Sequence, residues 1–416
     1  MQRLILKLTF IFIIVSNNTQ AIEVNDNFDS PFSVEISQRN YTDVVSTSGL
    51  NERESSLALQ WRPLYTLGEL TLRGDLWQEN RDGDVSEKTN QSHISELSFN
   101  YPIGEITSIS GGRSLIVEGS GYIWNPANPF NDYRLNIKDR ARQFKRDGDP
   151  YLLLESFFDQ FSLTLIATEI EPIEKISNDS KDRLKSAALR LNTIFDQSDI
   201  TFTVANIDDS AFISTSFSST PTDQLEIHAE LAGRESNIRH FPEAIPSETS
   251  IEYYQLTQIK ADETHVDGLV GFQYTFENQL NIILEYLHNG SGYNKKDFKK
   301  LLSAIEYSQQ RVNDPITGPA HIGFLTQTAL LTGLMRKHYW FARVSAPDLL
   351  HNLEASIFTR YASEDSSHID GMYLQYELTP YSKIKLDYER ITGKKNSEAG
   401  LIPYESATSL SLIIDF

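Results

Sequence analysis

Period-two alternation of apolar and polar residues runs through almost the whole chain, and it restricts the fold more than any other feature. In Thr408–Phe416, Leu410, Leu412, Ile414 and Phe416 share one face with Thr408. Ser409, Ser411 and Asp415 take the other, and only Ile413 interrupts the pattern. Leu57, Leu59 and Trp61 alternate in the same way, as do Phe161, Leu163, Leu165 and Ala167. Phe272, Tyr274 and Phe276 repeat the pattern, followed by Leu280, Ile282, Leu284 and Tyr286. Helical periodicity is scarce. Strands of this kind cross a bilayer with about 9–11 residues each, one face in lipid and one in a polar lumen. They must close on themselves, because an open sheet edge has no partner in hydrocarbon.

Composition narrows the alternatives. The chain has 416 residues, a formal net charge of −20, a mean hydropathy of −0.36 and no cysteine. A run long enough for a membrane helix is missing after residue 16. Cysteine-ligated zinc, thiol chemistry and a disulfide framework are excluded. The acidic balance is the opposite of a nucleic-acid binder's. Alternation alone leaves a soluble sandwich or jelly roll as the rival fold.

Residues 1–21 read as a secretory signal peptide. Arg3 and Lys7 precede the apolar run Leu8–Val15, and Thr19-Gln20-Ala21 forms a small-residue cleavage site. The remainder, 22–416, is expected to be one all-β unit, a single transmembrane antiparallel barrel of about 18 strands (range 14–18). Connectors alternate short and long. The short ones, such as Pro102–Gly104, Asp159–Gln160, Phe195–Gln197 and Glu277–Asn278, would face the periplasm. The long ones, such as Thr42–Glu54, Asn80–Gln91, Glu171–Arg183 and Arg234–Thr264, would face outward. Ser250–Gln258 is a candidate extra strand. In the outer connector 290–335, Phe298, Leu301, Leu302 and Ile305 fall at helical spacing, and Ile322–Leu334 is a second apolar, potentially helical run.

The most distinctive stretch is Gly111–Arg134, GGRSLIVEGSGYIWNPANPFNDYR. Pro126 and Pro129 forbid a regular helix or central strand, and each follows an Asn that favours a turn. Trp124, Phe130 and Tyr133 require an apolar surface, either the inner wall or the mouth. Basic residues then gather: Arg134, Lys138, Arg140, Arg142, Lys145 and Arg146, among four aspartates. Segment 118–148 is therefore a candidate lumen-constricting loop, with a solvated outer loop as the plainer reading. Arg113, Glu118, Trp124, Asn125, Arg134, Arg140 and Arg142 are the candidate pore-lining or constriction residues. Charges in a narrow pore focus the field and select solutes.

This stretch resembles a group of poorly characterised porin-like bacterial outer-membrane proteins that carry Gly-Arg followed by Trp-Asn-Pro. The matching residues are Gly112, Arg113, Gly119, Trp124, Asn125 and Pro126, with Glu118 where that group usually has Trp. Two further motifs belong to the resemblance, Glu285–Tyr293 (EYLHNGSGY) and His338–Ser345 (HYWFARVS). It implies an outer-membrane barrel with a transport role.

The expectation is a passive channel for small solutes in the cell outer membrane; the alternative is a loop-plugged receptor or export component. Lipid and lipopolysaccharide are the expected surroundings, and the terminal strand ending in Phe416 is the expected signal for barrel-assembly machinery. Catalysis, cofactor, metal and nucleic acid are not expected. The nine histidines form no metalloprotease pair. His228 and Ser236 are the only candidates for a lipid-facing hydrolase.

Overall fold

The computed structural model describes residues 28–42, 52–83, 89–130, 147–170, 183–235, 239–246, 252–258, 264–331, 334–402 and 404–416. Its strands form a closed antiparallel barrel of 18 strands. Closure comes from the first barrel strand, Phe32–Thr42, pairing with the last, Ser406–Asp415, from Ser33↔Asp415 to Thr42↔Ser406. The terminal residue takes part. The Phe416 amide donates to the Phe32 carbonyl at 2.8 Å, and the Phe32 amide donates back at 3.3 Å.

The alternation becomes an inside and an outside. In Phe161–Ile170, Ser162, Thr164 and Thr168 are buried while Leu163 and Leu165 are exposed on the outer face. At the short-turn rim, Trp61, Tyr101, Phe158, Phe195, Phe276 and Tyr381 are exposed. Tyr286 and Trp340 occupy the opposite end of their strands, with ring centroids 4.9 Å apart. An apolar outer belt with aromatic residues towards both ends is the surface of a barrel that spans a bilayer. One outer turn is minimal: Asp208 and Asp209 both take left-handed φ values, 47° and 69°, and join Ile207 directly to Ser210.

The loops depart from the expected boundaries in three places. Tyr253–Gln258 is a strand, but it pairs with His240–Ile245 in a separate hairpin and adds nothing to the barrel. The short connector after Trp61 contains a small strand, Leu64–Leu67, folded back on Leu70–Arg73. Strands Leu70–Gly83 and Thr89–Pro102 run 14 residues each, beyond the segment expected as a strand. Their upper halves are rich in Asn, Gln, Asp and Glu, so the ladder continues past the apolar zone.

The longest outer connection carries two helices, α1 (Lys295–Gln309) and α2 (Gly318–Leu330). Asn294 caps α1 by accepting from the Lys296 and Asp297 amides, both at 2.9 Å. Phe298, Leu301 and Ala304 bury the inner face of α1 against Phe324, Leu331 and Met335. Leu256 of the outer hairpin completes this core. Helix and hairpin thus form one dome. Arg239, fully buried, fastens it by donating to the Leu334 carbonyl at 2.6 Å. Arg336 lies 3.7 Å from Asp365 in the neighbouring outer turn. Beside the dome, Glu398 accepts from the Tyr339 hydroxyl at 2.5 Å. Burial pushes the Glu398 carboxyl above its ordinary range, and the nearby Arg360 guanidinium opposes that rise.

Candidate functional site: the inward-folded loop and the lumen beside it

After the strand Thr107–Ser114, the chain does not continue outward. Residues 115–130 turn into the barrel and lie against one side of its inner wall. Two wall carboxylates hold the backbone. Glu230, on strand Leu225–Arg234, accepts from the amides of Ser120 at 2.5 Å, Gly121 at 2.8 Å and Ala127 at 2.8 Å. Glu285, on strand Asn281–His288, accepts from the amides of Tyr122 and, at 3.1 Å, Ile123. Both carboxylates are buried. Buried anions need dense hydrogen bonding, and successive peptide N–H groups supply it without a second charge.

The close approach sets the local sequence. Gly119 has φ +105°, and a Cβ there would press on the Glu230 carboxylate. A Cβ on Gly121 would collide with the Trp124 carbonyl and with Leu269. Beyond them, Asn125-Pro126-Ala127-Asn128 forms a turn closed by the Asn128 amide on the Asn125 carbonyl at 3.1 Å. The Asn128 side chain accepts from the Phe130 amide at 2.9 Å and donates to the Ile116 carbonyl at 3.0 Å, which fixes the loop's curvature. Ser214 on the wall donates to the Ala127 carbonyl at 2.8 Å.

Apolar anchors complete the seat. Trp124 is 1% exposed and packs on Leu269, Ile283, Leu287, Tyr339 and Phe341. Its ring centroid lies 6.1 Å from that of Phe341 in an edge arrangement. Phe130 packs on Ile166, Ile170 and Ala188. The three sequence motifs singled out above therefore meet at one point. Trp124 comes from the first, Glu285 and Leu287 from the second, and Tyr339 and Phe341 from the third.

The candidate residues divide as follows. Glu118 is buried and paired with Arg190 of strand Leu184–Phe195 at 2.7 Å. Arg190 also reaches Thr164 at 3.1 Å and Glu155 at 3.4 Å. Arg113 donates to the Gly148 carbonyl at 3.1 Å, so it ties the start of the loop to its end. Trp124 and the Asn125 backbone serve the seat. Arg134, Arg140 and Arg142 lie outside the described residues.

The lumen-facing side of the loop presents other groups. Tyr122 is 45% exposed. The Arg343 guanidinium stands over the Tyr122 ring at 5.2 Å from its centroid. Across the barrel from the loop's seat is a cavity of about 380 Å³. It extends from Ser33, Arg62 and Asp415 near the short-turn rim to Arg39, Glu54 and Glu79 higher up, lined between by Glu35, Lys383, Lys385 and Asp387. Arg39 lies 3.8 Å from Glu389, and Lys383 lies 3.9 Å from Asp415. These wall residues, and Glu230 and Glu285 in the loop's seat, were not separable by sequence from any other polar position in an alternating strand. The resemblance motif beginning at Glu285 was the one available signal.

His228, half of the candidate hydrolase pair, faces inward. It is buried and meets Glu285 at 2.9 Å, away from the lipid surface; Ser236 lies outside the described residues.

No family model matches this sequence, and no curated protein matches it. Solved structures do resemble its fold. OccAB1 from Acinetobacter baumannii matches with a TM-score of 0.51 at 10% identity, over 94% of this chain and 96% of that one. OccK8 (OprE) from Pseudomonas aeruginosa gives 0.51 at 10% identity, over 94% and 98%. The outer membrane protein OpdK from Pseudomonas aeruginosa gives 0.51 at 9% identity, over 93% and 99%. The chain shares with these proteins the fold of a single large barrel along nearly its whole length.

Proposed function

We propose that this protein is an outer-membrane channel through which small polar solutes diffuse passively. One observation carries the reading: a loop is fixed against one side of the barrel, and a charged, water-accessible cavity remains on the other. Solutes would pass between the Tyr122 face of the loop and the wall carrying Arg39, Lys383, Lys385 and Asp387. Selection would come from width and from paired charges of both signs, with no covalent step. The likeness in fold to an outer membrane protein supports the location. A terminal strand that ends in Phe416 and closes the barrel fits recognition by the barrel-assembly machinery. Lysines 295, 296, 299 and 300 in the first turns of α1 are suited to lipopolysaccharide phosphates.

Proteoliposome swelling with neutral sugars of increasing size tests the proposal. Swelling that falls with solute size supports a diffusion pore. No swelling from a correctly folded, heat-modifiable barrel would contradict it. The dome over the outer end favours the second reading, a closed receptor or export component that binds a partner, and the same null result would favour it.

A further inference from the structure

We infer that His288 and His338 form a site for a divalent transition-metal ion at the neck of the dome loop. They are the last residue of one strand and the first of the next, and they stand directly opposite each other in the ladder. Everything between them, including α1 and α2, is the dome connection.

Both side chains lie on the outer face of the barrel. Ile283, Glu285 and Leu287 are buried inward, so His288 shares the outward face with Ile282, Leu284 and Tyr286. The Nδ1 atoms of His288 and His338 are 3.4 Å apart. The Tyr286 hydroxyl is 2.7 Å from the same His338 Nδ1. The two imidazole nitrogens thus face each other across the ladder, with the Tyr286 hydroxyl hydrogen-bonded to one of them.

One hydrogen bond accounts for only one of the two contacts at His338 Nδ1. A neutral imidazole Nδ1 either donates one proton or accepts with one in-plane lone pair. His338 Nδ1 is within reach of two partners and has one bonding direction. The separation suits a metal better. Two imidazole nitrogens, each about 2.1 Å from a tetrahedral ion, lie about 3.4 Å apart. Cross-strand neighbours on a ladder hold that spacing with little rearrangement. The Glu364 carboxylate accepts from the Lys337 amide at 3.0 Å and the His338 amide at 3.4 Å, which places a negative charge next to the site. Imidazole ligation suits Zn²⁺, Cu²⁺ and Ni²⁺ rather than Ca²⁺ or Mg²⁺. Water would complete the coordination at this end of the barrel.

An ion held here would staple the base of the longest connection and so restrict the dome. The site stands independently of the channel reading.

Titration of Zn²⁺ into the full chain, refolded in detergent without a histidine tag, tests the inference by calorimetry. The expected result is one saturable ion per chain. His288→Gln and His338→Gln should each weaken binding by at least about tenfold. Both side chains face outward, and retained heat-modifiability verifies that the variants fold. Absence of saturable binding to the wild type would overturn the inference. So would a doubly substituted, folded barrel that binds as tightly as the wild type, since the ion would then sit on other histidines.

Discussion

His228 and Glu285 lie in the same row of the barrel wall with Gly271 between them, and His228 Nε2 meets Glu285 Oε1 at 2.9 Å across the gap. The intervening position must lack a side chain. A Cβ on Gly271 would overlap His228 Nε2 and the Glu285 side chain. Glu285 is in turn one of the two carboxylates that seat the loop. Gly271→Ala should therefore loosen the loop from a distance, at a cost of about 1–3 kcal/mol from forced displacement. Hydrogen exchange of residues 118–128 is the readout. Faster exchange there, in a barrel with unchanged strand protection, is expected.

Glu230 is the stronger fastening, because three loop amides depend on it. Glu230→Ala leaves them unpaired in a buried site, at about 1–3 kcal/mol for each group that water cannot reach. The loop should leave its seat while the barrel stays closed. Single-channel recordings should show a larger and noisier conductance, and proteases should cut within 115–130.

Glu118 and Arg190 form a separate lock. Each single alanine substitution leaves a charge without its main partner, at about 1–3 kcal/mol for this partly buried pair. Arg190 keeps Glu155 and Thr164, so Glu118→Ala should be the milder change. The double variant should cost less than the sum of the two. A double-mutant cycle on urea unfolding measures the coupling, and additive effects would mean that the pair contributes nothing.

Acid should loosen the dome. His321 of α2 is fully buried, and its Nδ1 lies 3.2 Å from the Ser308 hydroxyl of α1. Burial holds its pKa below the ordinary 6.5. The unfolded dome then binds a proton more readily than the folded one. Its stability is complete above about pH 6.5 and declines as pH falls from there through the folded value. Protection factors of 295–330, corrected for the slower intrinsic exchange in acid, should fall between pH 7 and pH 5. His321→Gln should remove most of that dependence.

Lysines 383 and 385 are the basic groups of the strand Ser382–Thr392 that line the cavity. Replacing both with glutamate changes the formal charge of the lining from slightly acidic to strongly acidic. The reversal potential in a salt gradient should shift towards cation preference, and the shift should shrink at high salt as screening increases. No shift would place the ion path elsewhere.

The barrel was legible because its physics is periodic. Leu163 and Leu165 declare the lipid side as plainly as Thr164 and Thr168 declare the lumen. The short turns were legible for the same reason, since alternation stops at them. The loop's seat was less so. Trp124 was readable as needing an apolar surface, but the sequence does not say that Tyr339 and Phe341 supply it. That partnership depends on which distant strands meet across the lumen. Glu230 reads as one polar residue among many on an alternating strand. Only the positions of Gly119 and Gly121, spaced to bring backbone amides against a wall, distinguish it. Apolar residues inside the barrel break the simple inside-polar rule wherever the loop covers them, as Ile283 and Leu287 do. Ile283 interrupts the alternation for this reason.

The proposed function requires that a charged passage stay open beside the seated loop. Single-channel conductance of the refolded full chain in a planar bilayer tests it most directly. Steady, ion-selective current is expected, with an amplitude that rises when Glu230→Ala frees the loop. A folded barrel that passes no current, with or without that substitution, would contradict it.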